Sequence, residues 1–171
     1  MEIWDLYDTE RNIIGEHVRG TELPEDGFHL VVHVWIRRAN GDYLMTQRSA
    51  GKRTFPLKWE CVGGSVLKGD DSLHSAVREV KEEVGVDLVP EEGQLLFTKI
   101  RGTIAGKRYN DIVDVWLFRY DGEVSLENAT TDEVEQIQWM NRREIEALHQ
   151  ENQLVTSIKD LTYFFEEMEP Q

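Results

Sequence analysis

Residues 27 to 38, GFHLVVHVWIRR, constrain the fold of this chain more than any other stretch. Side chains of an extended segment alternate between two faces, so Leu30, Val32, Val34 and Ile36 share one face and Val31, His33 and Trp35 the other. Both faces are mainly apolar, a pattern that a strand sustains where its sheet is covered on both sides. The chain must therefore build a central strand and supply layers to cover it.

The flanking segments supply those layers. Asn40-Gly41-Asp42 tolerates the positive φ of a tight hairpin and leads into YLMTQR. SAGKRTFPL reads as a loop, and KWECV as a short strand feeding Gly63 and Gly64. QLLFTKI and YNDIVDVWLFRY read as strands separated by the Gly-flanked GTIAGK, and VEQIQWM as a further strand. EIWDLYDTERNIIGEHVRG alternates about a turn, which predicts strands or a hairpin within about 1–27. Asn141 and Glu144 have capping-box spacing for a short helix, REIEALH. Leu154, Val155, Ile158, Leu161, Phe164, Phe165 and Met168 recur at helical spacing and predict an amphipathic helix over about 153–168 that packs on the sheet. This order of strands and helices predicts a single domain over 1–171, of α/β (α+β) class with a mixed sheet.

Between these elements lies GGSVLKGDDSLHSAVREVKEEVGVDL, residues 63 to 88. Asp71 or Ser72 can cap a helix running to Val84, with Gly85 suited to the left-handed turn that ends it. Leu73, Ala76, Val77, Val80 and Val84 make its apolar stripe, and Glu79, Glu82 and Glu83 occupy the adjoining sector. Glu83 stands closest to the border and is expected to be partly buried between helix and sheet. The Glu79–Glu82 and Glu79–Glu83 pairs each cost on the order of 0.2–0.5 kcal/mol on an exposed helix. All three also sit in the half of the helix whose dipole favours cations. Arg78 can pair with Glu82, but one arginine cannot neutralise three carboxylates. A hard divalent cation such as Mg²⁺ or Mn²⁺ can, through oxygen ligands shared with water and phosphate. A solvated charged face is the alternative reading of the run by itself.

Spacing separates the two. Gly64, an acid at Asp70, Arg78-Glu79, aliphatic Val80, Glu82-Glu83 and Gly85-Val86 reproduce, over residues 64–86, the signature of the Nudix (MutT-like) hydrolases, which this chain resembles. The departure is Asp70, where the family has glutamate; its carboxylate is one methylene shorter, so a direct metal or water contact at that position could become indirect, with Asp71 a neighbouring acid that could compensate. The resemblance implies an α/β/α sandwich and a Mg²⁺-dependent pyrophosphatase, with Mn²⁺ as an alternative ion. Its substrate would be a nucleoside diphosphate linked to another group, or a similar small diphosphate. By the same carry-over, Glu79, Glu82 and Glu83 are expected as metal ligands with the Gly63 carbonyl, and Arg78 as the group that orients them. The general base lies outside the signature in this family; Glu133 is the first candidate, followed by Asp111 and Asp114. Arg48, Lys52 and Arg53 are candidates to meet a terminal phosphate. His33 and Trp35 are candidates to line the substrate pocket, although core packing explains either, and Trp139 is expected to pack the last strand.

WDLYDTERNIIGE, FHLVVHVWI, GDYLMTQRS and KRTFPLKWECVGG also resemble the branch that includes type I isopentenyl-diphosphate isomerase. Alignment through Trp59 puts Gly64 at that enzyme's cysteine and Val66 at its metal-binding histidine. His29 matches one histidine, while the upstream metal-site histidine falls near Glu22. Cys61 lies three positions early and reads as a small buried hydrophobe. The isomerase groups are thus missing, and a non-catalytic nucleotide sensor is the other alternative to a hydrolase.

Composition limits the partners. With 33 acidic and 19 basic side chains and a formal charge of −14, the chain is expected to repel a nucleic-acid polymer. No segment approaches the ~18 apolar residues of a membrane span, and a single cysteine suits a reducing cytoplasm. A homodimer is among the states the resemblance allows.

Overall fold

The computed structural model describes residues 1–104, 106–155 and 161–169. Strand β3 (His29–Arg37) is central, as its two-sided apolarity requires. It pairs in parallel with β8 (Lys107–Arg119) from His29–Asp111 to Arg37–Arg119. On its other edge β3 meets two short partners in succession, β6 (Val62–Ser65) along Val31–Val34 and β4 (Tyr43–Arg48) at Arg37. β7 (Gln94–Ile104) extends the sheet beyond β8; β5 (Trp59–Glu60) and β9 (Val134–Met140) pair with β4. The sheet is mixed and seven-stranded, and β1 (Ile3–Tyr7) and β2 (Ile13–Val18) form a separate two-stranded sheet.

The alternation of β3 sorts the interior into two cores. Leu30, Val32, Val34 and Ile36 pack with Ala76, Val80 and Val84 of α1 (Ser72–Val84), and with Ile112 and Phe118. Trp35, on the opposite face, packs with Tyr43, Met45, Val113 and Val115, with Ile145 of α2 (Arg142–Gln150), and with Phe164 and Phe165 of α3 (Leu161–Met168). Helices thus cover both faces, giving an α/β/α sandwich. Among the described residues no helix is long and apolar enough to cross a membrane.

The local signals explain the helix ends. Asp71 is the N-cap of α1, accepting from the His74 amide at 2.8 Å, and Gly85 ends the helix at φ 73. Asn141 and Glu144 form the expected capping box of α2. Two expectations need correction. The β7–β8 hairpin runs through most of GTIAGK, because its ladder continues to Ile104–Lys107; residue 105 lies outside the described residues. The final helix does not begin near 153. Trp59 donates its amide to Gln153 and accepts from Val155, at 2.8 and 2.9 Å, so Leu154 and Val155 follow β5 as extended chain. Residues 156–160, including Ile158 of the predicted stripe, lie outside the described residues.

The N-terminal hairpin is docked on the loop that precedes α1. Lys68 donates its amide to the Ile3 carbonyl and Gly69 donates its amide to the Asp5 carboxylate, each at 2.8 Å. Arg11 reaches Asp114 with two hydrogen bonds, of 2.8 and 2.6 Å.

Phe165 is fully buried in the core between the sheet and the last helix. Phe165→Ala is expected to lower unfolding free energy by about 3–5 kcal/mol, as measured by urea denaturation.

Candidate active site

The site forms where α1 comes down beside β6. At position 64 an added Cβ would lie 2.3 Å from the Glu79 carboxylate, so the absence of a side chain lets that carboxylate approach the strand backbone. At position 63 a Cβ would lie 2.6 Å from the Val32 carbonyl of the neighbouring strand. The double glycine is a requirement of packing on both sides.

A cavity of about 200 Å³ opens here, lined by Gly63, Gly64, Arg78, Glu79, Glu82, Glu83 and Glu133 together with Arg48 and Lys52. Arg78 is the clamp within it. Its guanidinium lies 3.0 Å from a carboxylate oxygen of Glu79 and 3.0 Å from one of Glu82, and donates to the Ser65 carbonyl at 3.1 Å. One residue therefore ties the loop to two glutamates, including the Arg78–Glu82 pair expected from spacing.

Glu133 arrives by way of the helix backbone. The amides of Thr130 and Thr131 both donate to the Glu82 carbonyl, at 2.9 and 3.1 Å, and the Ser49 amide donates to the Glu133 carbonyl at 2.9 Å. The Glu133 carboxylate then pairs with Lys52. These bonds bring two distant loops to the mouth of the cavity.

The acids are held against their preference for water. Glu83 is 7% exposed; burial pushes its carboxyl well above the ordinary range, and the negative charges of Glu60, Glu79 and Glu133 push it further. Burial likewise raises Glu79 to about 7, with Arg78 opposing and Glu82 and Glu133 reinforcing. Glu60 is raised by burial too, against the pull of Arg48, which lies 2.7 Å from it. The cavity thus gathers more carboxyl groups than cations, and its donor atoms are carboxylate and carbonyl oxygens, the set that suits Mg²⁺ or Mn²⁺. As placed, Arg78 engages Glu79 and Glu82, and among the described residues no three His, Cys, Asp or Glu side chains converge at metal-binding spacing. The chemistry of the donors fits a hard cation; holding one requires Glu79 and Glu82 to turn away from Arg78.

Other sequence candidates fall elsewhere. Trp35 is 3% exposed and stacks on Phe164 at 3.9 Å between ring centroids, which makes it a core residue and not a substrate contact. Arg53 is exposed and lines neither this cavity nor the one beside it. Asp111 is bound by Arg101 at 2.7 and 2.6 Å. Asp114 is held by Arg11 and by Thr98; burial opposes its ionisation, but hydrogen bonds from Arg11, Ser72 and Thr98 keep its carboxyl below the ordinary value. Both aspartates are structural ion-pair partners away from the cavity, which removes them as candidate bases. Asp70 is exposed, and among the described residues its carboxylate makes no hydrogen bond; Asp5 instead secures the adjacent Gly69 amide. Cys61 is buried in the core, where burial raises its thiol well above the usual range. Two charged cavity residues had no sequence signal, Glu2 and Arg19, which the N-terminal hairpin brings to the rim as an ion pair at 2.5 Å.

Comparison with known proteins agrees with this fold. A family model described as the NUDIX domain matches residues 27–160. A Nudix hydrolase of Listeria innocua is 32% identical over 167 residues, covering 96% of this chain and 91% of the relative. A Deinococcus radiodurans crystal structure superposes with a TM-score of 0.75 at 19% identity, over 94% of this chain and 96% of the other. A bifunctional NMN adenylyltransferase/ADP ribose pyrophosphatase from Francisella tularensis, solved with AMP and a Mn ion, matches with a TM-score of 0.60 at 16% identity, over 82% of this chain and 42% of the other.

Two measurements on metal-free protein probe the site. The folded state holds the Glu83 proton to higher pH than the unfolded chain, whose carboxyl titrates near 4.5. The stability linked to that proton is therefore present below the unfolded value and lost as pH rises toward the folded one. Glu83→Gln is expected to raise the melting temperature relative to wild type, by more at about pH 8 than at about pH 5. Gly64→Ala is expected to cost about 1–3 kcal/mol in urea unfolding, because the Glu79 carboxylate must give way.

Proposed function

The chain belongs to the Nudix hydrolase family, and from that premise we propose that it is a Mg²⁺-dependent pyrophosphohydrolase. Its substrate in this reading is a nucleoside diphosphate linked to another moiety, or a similar small diphosphate. The observation that supports it is the convergence of Glu79, Glu82, Glu83 and Glu133 on one cavity beside the double glycine. Two of these acids, Glu79 and Glu83, are disfavoured in their charged form by burial and by neighbouring carboxylates.

Glu79, Glu82 and Glu83 would hold the ion, with the Gly63 carbonyl a further oxygen ligand. When bound, Mg²⁺ or Mn²⁺ supplies positive charge to diphosphate oxygens and lowers the pKa of a coordinated water. The remaining tasks belong to the chain. Arg78, anchored on Ser65, would orient Glu79 and Glu82. Lys52 and Arg48 on the cavity wall offset charge on the phosphate oxygens, which is where phosphoryl transfer needs it. Glu133, oriented by Lys52, takes the proton of the attacking water as general base. The buried Cys61 gives the isomerase alternative no reactive thiolate. The single cysteine also supports a reducing, cytoplasmic setting.

The test is a diphosphate panel assayed with Mg²⁺, with Mn²⁺ and with chelator, on wild type, Glu82→Gln and Glu83→Gln. Hydrolysis is expected only with metal. Each substitution should lower kcat/KM by at least roughly 100-fold, since even outer-shell partners of a metal commonly contribute 10–100-fold. Mg²⁺ or Mn²⁺ should also raise the melting temperature of wild type, and do so less for either variant. Metal-independent turnover, or variants as active as wild type, would sink the assignment.

A further inference from the structure

The segment between β6 and α1 frames the site, yet its tip is not held by a core. Residues 63–65 wall both the acidic cavity and a second cavity beside it, and Leu67 lines the acidic one. Lys68, Gly69 and Asp70 are exposed. Gly69 stands at φ 82, which glycine adopts without steric cost. The acid that the signature sets in this loop is Asp70. Its carboxylate makes no hydrogen bond among the described residues, and its amide closes a turn onto the Leu67 carbonyl at 3.0 Å.

The bonds that hold the tip come from the N-terminal hairpin. The buried carboxylate of Asp5 accepts from the Gly69 amide, and the Ile3 carbonyl from the Lys68 amide, each at 2.8 Å. The Lys68 ammonium pairs with Glu16. Burying a carboxylate costs free energy unless hydrogen bonds replace water, so Asp5 is a poor choice for packing alone; what it supplies is an acceptor at a loop amide. β1 supports it firmly. Trp4 and Leu6 on either side are buried, Trp4 stacks on His29 at 4.3 Å between ring centroids, and Tyr7 and Phe28 exchange two backbone bonds of 2.8 Å. The hairpin's turn reaches the helix as well. Arg11 bonds Asp114, which also accepts from Ser72, the first residue of α1.

The tip has a fixed point on each side. The Val66 amide is bound by the Leu30 carbonyl at 2.9 Å, and Asp71 caps α1. A tip released from Asp5 would pivot between these points, and Leu67 of the cavity wall lies within it.

We propose that Asp5 is a positioning residue of the active site, which holds the Gly69 amide from the N-terminal hairpin, and with it the Leu67 wall of the acidic cavity, in place of the acid that the signature sets at position 70. The proposal deepens the diphosphatase reading and rests on it only for the effect on turnover.

NMR on metal-free, full-length protein tests the loop apart from turnover. In wild type a scalar coupling across the hydrogen bond is expected between the Gly69 amide nitrogen and the Asp5 carboxylate carbon, a readout that needs no variant. Asp5→Ala, and Asp5→Ser, whose side chain ends one atom short of the carboxylate oxygens, should shift the Leu67 methyl signals and leave those of Ile145 in the opposite core in place. Asp5→Asn, which keeps an acceptor, and Asp70→Ala should leave Leu67 as in wild type. With metal and a hydrolysed diphosphate, Asp5→Ala should lower kcat/KM roughly tenfold or more, mainly through KM, because the tip walls the cavity and carries none of the proposed metal ligands. A missing coupling, or Leu67 signals unmoved in Asp5→Ala and Asp5→Ser, would overturn the proposal. So would displacement of Leu67 by Asp5→Asn or Asp70→Ala as large as that by Asp5→Ala, or a lowered melting temperature with KM unchanged. Displaced Leu67 signals with no diphosphate hydrolysed by wild type would remove the hydrolase reading and leave the positioning role; hydrolysis with those signals unmoved would do the reverse.

Discussion

Helix α1 can settle against β6 because position 64 carries no side chain. That vacancy admits the Glu79 carboxylate to the space a Cβ would fill, and the approach brings Glu83 into the seam between helix and sheet. The rest of the site follows from it. Arg78 comes within reach of the Ser65 carbonyl, and the end of the helix presents the Glu82 carbonyl to Thr130 and Thr131. A close approach of one carboxylate to a strand backbone thereby accompanies the positioning of groups from three separate segments.

The contact creates an electrostatic problem that the fold leaves partly unsolved. Four glutamates line one cavity, and Arg78 is bonded to two of them. Burial amplifies each repulsion, because a low-dielectric surrounding strengthens interaction between charges. Such an arrangement is unfavourable for a chain selected for stability alone. Its persistence is understandable where a divalent ion and a phosphorylated ligand complete the charge balance.

Elements governed by neighbours along the chain were legible from the sequence. The two-sided pattern of β3, the stripe of α1, the Asn141–Glu144 cap and the glutamate cluster all express spacing within a single element. What failed depended on tertiary pairing. Leu154 and Val155 fit a helical stripe as well as they fit an extended segment, and the backbone of Trp59 decided the matter. Trp35 shares its face with His33, yet Phe164 covers one and the second cavity meets the other. Asp111 and Asp114 looked like free acids at a strand end, but Arg101 and Arg11 arrive from distant elements. Asp5 gave no signal at all, because its partner is a backbone amide far along the chain.

The docking of the N-terminal hairpin bears on where this catalytic module begins. The family match starts at residue 27, yet Asp5 and the Ile3 carbonyl fasten the loop that leads into α1. Glu2 and Arg19 form part of the cleft wall. A boundary drawn where the shared pattern begins would therefore cut through the working unit. The hairpin is a clasp on the loop that leads into α1, and through Glu2 and Arg19 it adds one charge of each sign to the rim of the cleft.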